Sequence, residues 1–247
     1  MTVLVEACVD SVASALAAER GGAGRVELCD NLFDGGTTPS AGMISAVKAA
    51  VRIPVFAIIR PRGGGFVYTH DETAVMRLDI EAARMLGADG VVVGALTRDA
   101  NIDDPQLQML VDAAGVLPVT FHRSFDLVRD QERALEALMR HRVARVLTSG
   151  GAPTALEGVG VIASLARRSA GQIEVMAGGG IREDHVQELV HRAGIHEVHV
   201  RGTRQARTPM HVARDGVKLR KPLPTDEDAW EETDERRIRE FVKLANG

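Results

Sequence analysis

Cysteine is nearly absent from this chain: only Cys8 and Cys29 occur in 247 residues. Two are too few for a disulfide framework in a protein of this length, and a reducing compartment would keep them as thiols, either core filler or ligands. No apolar run reaches the about 18 residues that a membrane-spanning helix needs, and the first residues lack the basic then apolar pattern of a secretory signal. No membrane partner and a cytoplasmic location are therefore expected. A net charge of −4 and a pI near 6.1 leave no basic excess for neutralising phosphates, so no nucleic-acid partner is expected. No lysine stands at a strand end to suggest Schiff-base chemistry.

What the chain does have is a repeat. Eight short runs rich in Val and Ile, at 3–8, 25–29, 54–60, 90–94, 118–122, 145–148, 173–178 and 197–200, each end in polar or glycine residues, and a helix-period segment follows. The spacing is that of one strand, loop and crossover helix. Eight such units predict an α/β fold, a (β/α)8 TIM barrel in a single domain over 1–247, with barrel units in 1–204 and a C-terminal loop and closing helix in 205–247. The chemistry of such a barrel sits at the C-terminal ends of its strands, so the polar clusters fall on one face.

The helices carry their own punctuation. Ser11 and Ser40 are N-cap residues, Thr69 and Glu72 make a capping box, Pro105 sits in a first turn and Asp130 caps a fifth helix. The sixth helix falls within 154–169, weakened by Gly158 and Gly160. Beyond residue 204 the barrel pattern stops: 205–224 reads as irregular because of Pro209, Gly216, Pro222 and Pro224, the acidic stretch 225–235 reads as solvated surface, and Thr233 caps a last helix.

Period-2 alternation places Glu6 and Cys8 on one side of strand one, and Glu27 and Cys29 on one side of strand two. If that side is the lumen, two carboxylates and two thiols come from neighbouring strands, close enough for shared ligation or a coupled acid/base pair. Lumen carboxylates need a cation, a metal or a donor, and Arg60 or another lumen arginine could supply it. Pro61 keeps Arg60 extended at the rim, where Arg60 and Arg62 stand beside Gly63, Gly64 and Gly65 and suit a carboxylate or phosphate. His122 ends strand five with Arg123 beside it and Asp126 in the next loop, as a general acid/base or a metal ligand. Ser149, Gly150 and Gly151 after strand six, and Gly178, Gly179 and Gly180 after strand seven, let backbone N–H groups approach an anion. His185, His191 and His196 read as surface residues; only His199 shares a strand end with the lumen candidates.

The stretches Glu6-Ala-Cys8-Val-Asp10-Ser11, Arg25-Val-Glu27-Leu-Cys29, Gly35-Gly36-Thr37-Thr38-Pro39-Ser40, Ile59-Arg60-Pro61-Arg62-Gly63-Gly64, His122-Arg123-Ser124-Phe125-Asp126, Thr148-Ser149-Gly150-Gly151 and Met176-Ala177-Gly178-Gly179-Gly180 occur in the order in which the CutC family carries them. The chain resembles that family over residues 1 to about 200. The resemblance implies a TIM barrel, a cytoplasmic role in copper homeostasis, copper(I) binding through thiols that here are Cys8 and Cys29, and a homodimer or higher homo-oligomer. It also implies that Glu6, Glu27, Arg60, His122 and the glycine loops form one pocket. Two positions depart from the family pattern: Gly65 stands where an acid is expected before Phe66, and Arg201 stands where a small polar residue is expected, which makes the pocket more anion-seeking.

Two functions follow as expectations. One is copper handling, since copper(I) is soft and prefers thiolates. The other is a barrel enzyme acting on a small anionic or phosphorylated metabolite, with Glu27 or His122 abstracting a proton, Glu6 and Arg60 in support, and Arg62, Arg123, Arg201 and the glycine loops holding the anion. The partner is a metal ion or a small anionic ligand, and no organic cofactor is implied.

Overall fold

The computed structural model describes residues 2–207 and 228–247. Eight parallel strands close a barrel in sequence order: β1 (Leu4–Val9), β2 (Arg25–Leu28), β3 (Val55–Ile58), β4 (Gly90–Val93), β5 (Val119–Phe121), β6 (Arg145–Thr148), β7 (Glu174–Gly178) and β8 (Glu197–Val200). The crossover helices are α1 (Val12–Gly21), α2 (Ala41–Ala50), α3 (His70–Met85), α4 (Asp104–Ala114), α5 (Gln131–Arg140), α6 (Val159–Ser169) and α7 (Val186–Ala193). This is the TIM barrel that the eight runs predict.

One parity of each strand faces the helices. Val5, Val26, Val91, Val146 and Val198 pack there against helix residues such as Ile44, Ile80, Leu110, Leu138, Ile162 and Leu189, all buried. Each fully buried aliphatic side chain contributes roughly 1.5–3 kcal/mol, so this shell holds the strands in place and leaves their other parity to the lumen. A smaller apolar group, Cys8, Cys29, Phe56, Ile58 and Val92, fills part of the lumen.

Register decides which polar residues meet. β1 pairs β2 with Glu6 opposite Arg25 and Cys8 opposite Glu27, and it closes onto β8 with Glu6 opposite His199. Neighbouring residues in a parallel ladder point to the same side. The Glu-x-Cys side is the lumen side.

Local signals place most helix starts. Ser11, Ser40 and Asp130 cap α1, α2 and α5 through their side chains, and Thr69 and Glu72 form the reciprocal box on α3. The start of α6 at Val159 has a tertiary cause: a Cβ at Gly158 would overlap the Ser149 carbonyl, so the glycine that weakens the helix lets the β6 loop pack.

The region after β8 differs from expectation. Gln205 to Arg207 belong to a strand, β9 (Thr203–Arg207), that pairs antiparallel with β10 (Ala229–Thr233); the rest of the stretch read as irregular, and residues 225–227, lie outside the described residues. The acids of β10 are not simply solvated, because Glu231 meets Arg201 at 3.0 Å and Glu232 meets Arg204 at 2.6 Å. Asp234, not Thr233, caps α8 (Glu235–Ala245), accepting from the Arg236 and Arg237 amides. Thr233 instead donates its backbone N–H to Ser14 Oγ of α1. The last helix packs on α1, where Ile238 lies so close to Gly21 that a Cβ there would be 2.6 Å from it, and Asn246 exchanges hydrogen bonds with the Val3 backbone. No described helix is long and apolar enough to cross a membrane.

Candidate functional site

The lower lumen is an ionic layer. Arg25 donates to Glu6 through Nε and to Glu197 through a terminal nitrogen at 2.5 Å, and Arg145 grips the same Glu197 with two donors. Both guanidiniums lie over the Phe56 ring, at 5.0 and 5.4 Å. Each buried carboxylate thus meets a cation, which offsets its desolvation. The cation that satisfies Glu6 is Arg25, not Arg60. Burial opposes charge on Glu6, but Arg25 and His199 outweigh it and hold the carboxyl down at about 2.

Above that layer lies a thiol tier. Cys8 and Cys29 bring their sulfurs to 3.8 Å, and one carboxylate oxygen of Glu27 completes a cluster whose three donor atoms lie within 4.8 Å of one another. His199 joins it from β8, with Nδ1 2.8 Å from Glu6 Oε1 and Nε2 3.7 Å from Glu27 Oε2. A Cβ at Gly178 would overlap Leu147, 2.5 Å away, and crowd the His199 Cβ at 3.2 Å, so the bare backbone of β7 lets these neighbours pack.

This crowding sets the protons. The hydrogen bond from the Cys29 thiol, then the His199 imidazole, pull Cys8 well below the ordinary thiol range, while Cys29, as the donor of that bond and a buried group, is pushed well above it. Burial works against a charged His199, but hydrogen bonds with Cys8 and Glu6 and the field of Glu27 raise it well above the usual imidazole value. Burial pushes Glu27 up to about 8. These shifts favour a thiolate at Cys8, a charged imidazole at His199 and the protonated form of Glu27.

At the mouth, residues of the segments that follow β3 and β5 meet. Arg60 donates to the carbonyls of Asp34, Gly36 and Gly64 at 2.5, 2.7 and 2.8 Å, and its guanidinium lies 5.0 Å from the Phe66 ring centre. The His122 ring is 5.0 Å beyond that ring and accepts the Ser124 backbone N–H at Nδ1. Burial and the Arg60 charge hold His122 down to about 3, so it is a neutral imidazole with its proton on Nε2. A cavity of about 440 Å³ opens over these groups and over Cys8, Glu27, His199, Gly179, Gly180 and Arg201.

The model of the CutC family matches residues 3–204. The chain belongs to the CutC family. The copper homeostasis protein cutC homolog of Mus musculus is 46% identical over 98% of this chain and 89% of its own length, and the Homo sapiens homolog is 45% identical over the same shares. Among solved structures, the CutC copper homeostasis protein of Streptococcus agalactiae is 34% identical, covers 80% of this chain and 98% of its own, and superposes with a TM-score of 0.77.

Of the residues that this CutC-family sequence singles out, the structure brings Glu27, Arg60, His122, Arg123, Gly179, Gly180, Arg201 and Cys8 to one cavity, with Glu6 and Cys29 packed beneath it. It separates others. Arg62 turns outward to Glu72 and the carbonyls of its own loop. The donors of Ser149 and Gly151 are spent on the Asp126 carboxylate, which takes the Ser149 N–H at 2.9 Å, the Gly151 N–H at 3.2 Å and the Thr148 hydroxyl at 2.5 Å. The β6 glycine loop thus already holds an anion, the protein's own. Burial raises Glu27 and lowers His122, and the Nδ1 of His122 accepts the Ser124 N–H. His185, expected at the surface, is largely covered, with 12% of its side chain exposed and a buried Nδ1.

Arg25, Arg145, Glu197, Ser124 and the full part played by His199 escape a reading of single residues. A signal for three of them exists: Arg25 shares parity with Glu27, and Glu197 with His199, so the same alternation that marks Glu-x-Cys marks them.

Proposed function

We propose that this protein serves copper homeostasis by taking one copper(I) ion between Cys8 and Cys29. The observation that carries the reading is the 3.8 Å separation of the two buried sulfurs. With metal–thiolate bonds of ~2.3 Å, two sulfurs at that distance can share one ion, and soft thiolates favour copper(I) over harder cations. Cys8 is already the thiolate of the pair, so entry of the ion displaces only the Cys29 proton. That proton passes to solvent, because Glu27 and His199 both favour their protonated forms in this tier. Cys8 lines the cavity, which supplies the way in.

The test is an anaerobic copper(I) competition titration of the reduced protein beside the Cys8→Ser/Cys29→Ser double variant. Tight one-to-one binding that the double variant loses is the expected result; equal affinity in the two proteins would remove the thiol site.

A second reading is favoured by one observation, that the Cys8 thiol and the Glu27 carboxyl, whose proton affinities are shifted in opposite directions, line one cavity. A base and an acid facing one cavity are what proton transfer on a small anionic or phosphorylated metabolite requires. In that enzyme Cys8 would take the proton, Glu27 would give one and Arg60 would balance the charge that develops. A cytoplasmic location belongs to the same proposal, as does a homodimer or higher homo-oligomer, for which Val75, Leu78 and Met85 are exposed along α3; light scattering on the purified protein tests the latter.

A further inference from the structure

Among the described residues, six buried side-chain nitrogen or oxygen atoms have no hydrogen-bond partner, and three of them, Arg60 Nε, His122 Nε2 and Ser124 Oγ, belong to residues that line the one mouth cavity. All three residues are at least nine-tenths buried. Buried donors are nearly always satisfied; the Tyr68 hydroxyl, a fourth such atom, lies against Arg60, while His122 Nε2 and Ser124 Oγ are left for a partner in the cavity that the Arg60 guanidinium also lines.

We propose that the cavity binds a small metabolite through an oxyanion head, carboxylate or phosphate, held by the Arg60 guanidinium, the Nε2–H of His122 and the Ser124 hydroxyl. The geometry is specific. Arg60 and His122 both contact the Phe66 ring, each with its centre 5.0 Å away. Gly94 sets the third side: a Cβ there would overlap both His122 and Ser124 Oγ. Because Nδ1 of His122 accepts the Ser124 N–H, its free nitrogen is the donor. The corner therefore offers donors to an anion and repels a cation, which separates it from the thiols.

Charge points the same way. The other arginines at the mouth have carboxylates: Arg123 meets Asp126 at 2.8 Å, Arg201 meets Glu231 at 3.0 Å and Arg237 meets Glu183 at 2.6 Å. Arg60 has carbonyl oxygens and no carboxylate among the described residues, so a buried positive charge is left for a ligand to balance. The room fits too. A volume of about 440 Å³ is far more than one metal ion fills, and it lies within the range of roughly 300–1,000 Å³ typical of small-molecule sites. The inference does not depend on the copper reading, since it uses neither thiol.

The experiment is isothermal titration calorimetry of the reduced, metal-free protein with inorganic phosphate, glycerol 3-phosphate, pyruvate and malonate. At least one is expected to bind saturably at one site. Ser124→Ala and His122→Phe are each expected to weaken that binding about tenfold, the worth of one lost hydrogen bond, with circular dichroism and thermal unfolding confirming that both variants fold. Arg60→Ala is the less useful variant because Arg60 also ties down three loop carbonyls. A response confined to phosphates or to carboxylates supports the site and identifies the head. Absence of saturable binding with all four titrants, or unchanged affinity in both folded variants, would overturn the proposal.

Discussion

His199 and Glu6 stand directly opposite each other across the seam where β8 closes onto β1, with Nδ1 2.8 Å from Oε1. That bond orients the imidazole so that its other nitrogen faces Glu27 across 3.7 Å. The residue pair that completes the barrel therefore also sets the charge of the thiol tier. The lower layer fixes Glu6 through Arg25, so the imidazole is oriented by a carboxylate that cannot move away.

Removing the imidazolium tests that link. His199→Gln keeps a side chain able to hydrogen-bond Glu6 but carries no charge, so the Cys8 thiol pKa should rise by about one unit or more. Ultraviolet thiolate absorbance followed against pH reads the change. An unaltered titration would take His199 out of the account of Cys8.

Glu27 makes stability depend on pH. Its carboxyl is held at about 8 in the folded chain against an ordinary 4.5. Below the ordinary value both folded and unfolded forms are protonated and nothing is lost. Between the two values the unfolded chain releases the proton while the folded one keeps it, so stability falls as pH rises, and the cost is complete above about pH 8. Glu27→Gln mimics the neutral acid at every pH. The variant should match the native protein near pH 4 and exceed it by a few kcal/mol at about pH 9 in urea unfolding. Equal stability at both pH values would mean that Glu27 is ionised in the fold.

Asp126 holds the loop after β6 together. Its carboxylate receives the Thr148 hydroxyl, the Ser149 and Gly151 amides, and Arg123. Asp126→Asn leaves an NH2 group facing donors and a buried amide unsatisfied, with an expected loss of roughly 2–4 kcal/mol of stability. A loss below about 0.5 kcal/mol would show that glycine backbone geometry alone shapes this loop.

Much of this is written locally. The alternation Glu6-x-Cys8 and Glu27-x-Cys29 identifies the lumen candidates because side chains on a strand change sides at every residue. Ser11, Ser40 and Asp130 mark their helices because each supplies an acceptor to amides two or three positions on. The Ser149-Gly150-Gly151 loop shows where such reading stops. It has the form of an anion site and is one, but its occupant, Asp126, lies 23 residues before Ser149 on another loop. The β9 and β10 pair is missed for a similar reason, since an antiparallel partner distant in the chain leaves no period to detect.

The sequence by itself determined the eightfold alternation of strand and helix, most helix starts, and which polar residues could reach the lumen. These depend on dihedral preference, capping and apolar period, all acting within a few residues. Only the tertiary structure decided that Glu6 belongs to Arg25 and His199, that the Cys8 and Cys29 sulfurs meet at 3.8 Å, and that Arg60, His122 and Ser124 are left with donors to spare. Those outcomes depend on strand register, which joins residues as far apart as Glu6 and His199, 193 positions along the chain. They depend also on burial and charge summed over every neighbour, which no single stretch of sequence contains.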